Sequence, residues 1–136
     1  MPVTAGVFSD EHAGFFVGGD KAGMLFGREA RGAKGAVWRR SDPGPIDRRY
    51  VRVPPLLVVE VEGREEGEAA LCVKARWYFA HGVGVVWLVL PSTRDVLVLR
   101  HGGETRHAVG ERLPEDPELP GLAPAVEGLF RQLAPR

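Results

Sequence analysis

The sequence predicts a single α/β (α+β) domain over residues 1–136, built on a mixed β-sheet with a βαβ core and flanking helices. Three observations carry that expectation. Leu56-Leu57-Val58-Val59-Glu60-Val61 is almost unbroken in its apolar character, as a central strand covered on both faces must be. Residues 66–81 then follow helical spacing to Gly82, and Val83-Gly84-Val85-Val86-Trp87-Leu88-Val89-Leu90 is a second buried strand. Strand, helix and strand within about 35 residues form one crossover unit, so the two strands should be parallel and the crossover right-handed. Near the end of the chain, Val126, Leu129, Phe130 and Leu133 fall at i, i+3, i+4 and i+7, one apolar stripe of a closing helix.

The remaining elements follow from turn chemistry. Gly14-Phe15-Phe16-Val17 and Met24-Leu25-Phe26 read as short strands of an N-terminal β-hairpin region spanning 1–32. Gly18-Gly19-Asp20-Lys21 supplies the turn between them. A third strand is expected at Ala36-Val37-Trp38, and two prolines make residues 41–49 a loop. After Leu90, Pro91-Ser92-Thr93-Arg94-Asp95 turns the chain into an antiparallel strand at Val96-Leu97-Val98-Leu99. Gly102-Gly103 turns it again toward Arg106-His107-Ala108-Val109.

Composition limits the function classes. The 136 residues are 44% hydrophobic and 26% charged, a globular balance. Lys+Arg and Asp+Glu both number 18, so no global field points to nucleic acid or to a membrane surface, which counts mildly against a DNA binder. The lone Cys72 excludes an internal disulfide and suits a reducing compartment. No stretch has the form of a signal peptide or the apolar length of a membrane span, so the expected location is the cytoplasm.

Two residues do not follow from packing. Glu60 is a carboxylate inside an aliphatic strand, placed by alternation on the same face as Val58 and Glu62. Burying it unpaired costs several kcal/mol, so it needs a metal, a cation or hydrogen bonds. Lys74 has Ala70, Leu71, Trp77 and Tyr78 as its helical neighbours, a position where a binary pattern places leucine. The helix packs back on the sheet that carries Glu60, so the two side chains are expected within about 6 Å of each other. One reading is a structural ion pair, or a lysine that snorkels to the rim. The other makes Glu60 a metal ligand and Lys74 the group that orients water and steadies a developing phosphate charge.

Several motifs occur together: Pro55, Val59-Glu60-Val61, Lys74 four residues before Tyr78, Gly82-Val83, Val86-Trp87-Leu88-Val89, and Leu119-Pro120-Gly121. The combination resembles the Uma-type putative restriction endonuclease family, a branch of the PD-(D/E)XK nuclease superfamily. The likeness covers roughly residues 33–133 and is densest over 54–90. It implies a restriction-endonuclease-like fold, a divalent metal (Mg or Mn) and hydrolysis of phosphodiester bonds in DNA. On it, Glu60 matches the strand glutamate, Lys74 the lysine displaced onto the following helix, and Glu62 the place of the motif's own lysine. Glu60 and Glu62 are then the candidate metal ligands, and Glu60 and Lys74 the candidate catalytic pair.

The chain departs from the family pattern where a metal-binding Asp is usual. The equivalent segment reads Lys34-Gly35-Ala36-Val37-Trp38, with Gly35 in the Asp position. A hard divalent ion wants several oxygen ligands, so activity is expected to be weak or lost, and an Asp at 35 is expected to raise it. Asp42, Asp47 and Glu62 are the candidate substitutes. The alternative function is a non-catalytic nuclease-fold protein acting as a dimeric binding or assembly module.

Other features bear on partners. Arg39, Arg40, Arg48, Arg49 and Arg52 form a basic patch that either tracks DNA phosphates or is a solvated edge. The four histidines show no ligand spacing, and His81 suits a helix C-terminus. Cys72, Ala75 and Phe79 form a second apolar stripe on the 66–81 helix. It is to be covered either by the closing helix, through Phe130 and Leu133, or by a second copy in a homodimer.

Overall fold

The computed structural model describes residues 15–18, 22–26, 29–33, 35–39 and 54–133, with side chains over 35–38 and 54–131. Its elements in chain order are β1 (Phe15–Gly18), β2 (Ala22–Phe26), β3 (Glu29–Ala33), β4 (Gly35–Arg39), β5 (Leu57–Val61), α1 (Glu68–Ala80), β6 (Val85–Leu90), β7 (Asp95–Arg100), β8 (Gly103–Ala108) and α2 (Val126–Leu133). Among the described residues one six-stranded mixed sheet has the order β1-β4-β5-β6-β7-β8, and β2 and β3 form a separate pair.

The crossover unit is as its apolar runs require. β5 and β6 are parallel, with Leu57 opposite Val85 and Glu60 opposite Leu88, and α1 joins them. β7 and β8 continue the sheet antiparallel through the turn in which Gly102 takes φ +87°. α1 stops where expected: Gly82 N–H bonds Phe79 O at 3.2 Å, and Gly82 itself has φ +96°. A Cβ there would also stand 3.0 Å from the Pro54 ring, so both backbone and packing favour glycine.

The N-terminal hairpin differs from expectation. β1 pairs not with β2 but antiparallel with β4, Phe16 opposite Trp38, while β2 pairs with β3, Ala22 opposite Ala33. Local alternation marks a strand without choosing its partner, and β4 offered β1 an edge of the large sheet. Of the expected turn at 18–21 only Gly18 is described, as the last residue of β1, and the loop at 41–49 lies outside the described residues.

The sheet buries two separate cores. One face holds Val37, Leu57, Val59, Val61, Trp87, Val89, Val96 and Val98 against Val126 and Leu129 of α2. The opposite face holds Ala36, Trp38, Val58, Val86, Leu88, Leu97 and Leu99 against Leu71, Ala75 and Tyr78 of α1. The Cys72–Ala75–Phe79 stripe is therefore not an outer surface. Ala75 is buried, and Cys72 and Phe79 are half-buried against the α1-side core. With Leu99 they flank a cleft of about 290 Å³ toward β7 and β8. The closing helix does not cover them, because α2 packs on the other face of the sheet. Among the described residues no helix is long and apolar enough to cross a membrane.

Candidate functional site

Pleating sends Glu60 to the α1 side of the sheet, with Val58 one step before it on that face and Leu88 beside it on β6. Glu60 is only 4% exposed, so its charge must be met within the protein. Two side chains of α1 meet it. The Tyr78 hydroxyl donates to Glu60 Oε2 at 2.5 Å, and Lys74 Nζ lies 3.5 Å from Glu60 Oε1. Tyr78 and Lys74 stand four residues apart, on one face of the helix, so a single face presents both donors to one carboxylate.

Lys74 has a second partner. Its ammonium donates to Glu66 Oε1 at 3.1 Å, from the segment between β5 and α1. The line of contacts is Tyr78–Glu60–Lys74–Glu66, one phenol and one ammonium between two carboxylates. Burial holds the Glu60 carboxyl above its ordinary range. The Tyr78 hydrogen bond and the Lys74 charge draw it back in part, while the Glu66 charge adds to the rise.

A second polar group lies on the same face, toward the start of α1. Arg106 Nη1 bonds Asp95 Oδ2 at 3.1 Å and Arg106 Nη2 bonds Glu68 Oε2 at 2.8 Å, tying β7, β8 and α1 together. Thr93 Oγ1 donates to Asp95 Oδ1 at 2.5 Å. This group is a clamp rather than a reactive centre, because each carboxylate is met by a permanently charged guanidinium.

The other sequence candidates are placed differently. Glu62 is half-buried at the end of β5. Ser92 N–H donates to its Oε1 and Ser92 Oγ to its Oε2, both at 2.9 Å, so both its oxygens serve the turn after β6. Gly35 requires a correction. It pairs with Val59, whose side chain belongs to the α2-side core, so a side chain at 35 would point away from Glu60. The β4 positions that face α1 are Ala36 and Trp38. Arg39 ends β4, and Arg40, Arg48, Arg49 and Arg52, like Asp42 and Asp47, lie outside the described residues. His81 sits at the end of α1 as expected, its Nδ1 2.8 Å from Trp77 O.

The described residues do not make a site for Mg or Mn. Of the four oxygens of Glu60 and Glu62, one accepts from Tyr78, one faces Lys74 and two accept from Ser92. Among the described residues no three His, Cys, Asp or Glu side chains converge as metal ligands. The cation present at Glu60 is an ammonium.

Sequence reasoning missed two members of the centre. Tyr78 appears in the motif as a spacing, yet its role as a donor to Glu60 depends on the helix lying over β5. Glu66 falls within the helix expected over 66–81, whereas α1 begins at Glu68 and leaves Glu66 in the connecting segment, where helical spacing could not place it beside Lys74.

A six-stranded mixed sheet with its carboxylate–lysine centre under a crossover helix defines a nuclease-like α+β fold. It resembles the crystal structure of a putative nuclease belonging to DUF820 from Anabaena variabilis, with a TM-score of 0.75 at 15% identity, covering 96% of this chain and 75% of that one. The model of the family Uma2, described as "Putative restriction endonuclease", matches residues 7–132, and the chain belongs to that family. No curated protein matches it.

Proposed function

We propose that this protein is a metal-dependent endonuclease of low activity that hydrolyses phosphodiester bonds in DNA, with Glu60 and Lys74 as its reacting pair. One observation carries the reading: Lys74 Nζ stands 3.5 Å from Glu60 Oε1, joining the strand glutamate and the helix lysine that the family pattern assigns to catalysis. Tyr78 is then a positioning residue, fixing Glu60 Oε2 so that Oε1 faces the ammonium. Lys74 offers its charge to a phosphate oxygen, where charge grows in the transition state. Glu60, its carboxyl raised by burial, keeps a proton more readily than an exposed glutamate does. A Mg or Mn ion would have to displace the Lys74 ammonium from Glu60 and keep water on most of its positions, which is why the activity is proposed to be low. The arginines at 39, 40, 48, 49 and 52 are the proposed track for the DNA backbone.

The state of Glu60 favours a second reading, a non-catalytic nuclease-fold module acting as a dimer. Both its oxygens already have protein partners, which is how a retired carboxylate is kept. Nicking of supercoiled plasmid separates the two, with Mg and with Mn, for the wild type, Glu60→Gln and Lys74→Met. The endonuclease reading expects slow nicking by the wild type that falls by roughly a hundredfold or more in each variant. Equal nicking by all three proteins, or none by any, leaves the module.

A further inference from the structure

Lys74 is shared between two unlike carboxylates, and the inequality has a chemical consequence. The Glu60 side chain is 6% exposed, that of Glu66 41% and that of Lys74 27%. The leg to Glu60 is buried, so breaking it would strand a charge in the core. The leg to Glu66 is shorter, at 3.1 Å, yet it lies in water, where an ion pair contributes little and exchanges readily. An ammonium has three donors, and Glu66 is the more exposed of the two carboxylates that share Lys74.

Resting on the endonuclease reading, we infer that Glu66 is a positioning residue that holds Lys74 in place and competes with a DNA phosphate for its ammonium. With Glu66 bound, the centre carries two carboxylates and one ammonium and repels an anion. A phosphate that replaces Glu66 keeps the buried leg intact and forms a charge-assisted bond at the exposed one. Glu66 therefore lowers affinity for the phosphate backbone while keeping the lysine aligned over Glu60. Its location suits exchange, because it lies just before α1 and is held by one backbone bond, from Gly63 N–H to Glu66 O at 3.1 Å. A Cβ at Gly63 or Gly67 would meet nothing within 4 Å, so the segment that carries Glu66 lies open on that side.

The test is binding, read apart from cleavage. Fluorescence anisotropy of a short fluorescein-labelled DNA duplex, without added metal, is measured for the wild type, Glu66→Gln, Lys74→Met and the double variant across a salt series. Glu66→Gln should tighten binding roughly three- to tenfold at low salt, with the gain shrinking as salt rises. In the Lys74→Met background the same substitution should give a clearly smaller gain, a coupling that a merely structural Glu66 would not produce. Thermal melts by circular dichroism confirm that each variant is folded, and Glu66→Asp, which keeps the charge, should bind like the wild type. Unchanged or weaker binding by folded Glu66→Gln overturns the inference, as does a gain of equal size without Lys74, or no duplex binding by any protein at low salt. The plasmid assay fails separately. A binding gain without nicking leaves Glu66 as the competitor and removes hydrolysis, whereas Glu60-dependent nicking without a binding gain removes only Glu66's role.

Discussion

The two faces of one sheet are built on opposite principles. On the α2 side Leu57, Val59 and Val61 of β5 meet a wholly aliphatic and aromatic core. On the α1 side the same strand presents Val58 and then Glu60, and the covering helix answers with Tyr78 and Lys74. Leu88 and Leu97 complete the row beside Glu60, so the carboxylate sits in a wall of hydrocarbon. An aliphatic core stabilises through area alone and tolerates no charge. The α1 face surrenders some of that stability to keep a buried carboxylate, which natural sequences do where a site is needed. A single residue step along β5 separates the two environments.

That contrast is broken most severely by moving the carboxylate one step. Val59→Glu places a charge in the α2-side core with no partner, and a cost of several kcal/mol should leave no cooperative unfolding transition in urea at room temperature. Leu129→Ala, which opens a cavity under α2, should cost about 2–5 kcal/mol in the same measurement.

The α1 face should respond less, and with pH. Lys74→Met removes the only cation bonded to Glu60 among the described residues, at a cost of roughly 1–3 kcal/mol near pH 8. Near pH 5 the cost should fall, because Glu60 can take a proton instead. The sign follows from burial. A carboxyl whose pKa is raised in the folded state from 4.5 contributes stability at low pH, and that contribution is lost as pH rises through the raised value. Wild type should therefore lose stability relative to Glu60→Gln over the window just above 4.5, and denaturation midpoints across pH give the comparison. A flat difference between the two proteins would mean that Glu60 is not held by burial.

The smallest effect is Tyr78→Phe, about 1 kcal/mol, since it removes one hydroxyl and keeps the ring in the core. It should enlarge the pH effect, because one of the two groups that draw the Glu60 carboxyl downward is then gone. If Tyr78→Phe cost as much as Leu129→Ala, the α1 face would be held by its polar centre rather than by packing.

How far the chain can be read without its structure differs by element. The β5–α1–β6 unit was legible because apolar runs and a glycine stop are local signals, and the parallel pairing of β5 with β6 follows from the helical crossover between them. The meeting of Glu60 and Lys74 was legible for a related reason, since each breaks the pattern of its own element. β1 was assigned as a strand but given the wrong partner, because partner choice is a contest among edges that no window of sequence contains. Gly35 was set beside Glu60 by motif spacing, while the register opposite Val59 turns it to the other face. A slip of one residue is invisible in a motif and decisive in a pleated sheet.

The sequence by itself determined which segments are strands and helices and which two residues could not be explained by packing, because periodicity and burial cost act within a single element. Only the tertiary structure decided that Tyr78 completes the Glu60 contact, that Glu66 shares Lys74, that Glu62 is taken up by Ser92, and that the Cys72 stripe borders a cleft toward β7 and β8 and is not covered by α2. Each of these is a meeting of side chains from different elements. Such meetings are set by the register and tilt at which helix and sheet pack, and those are properties of the whole fold.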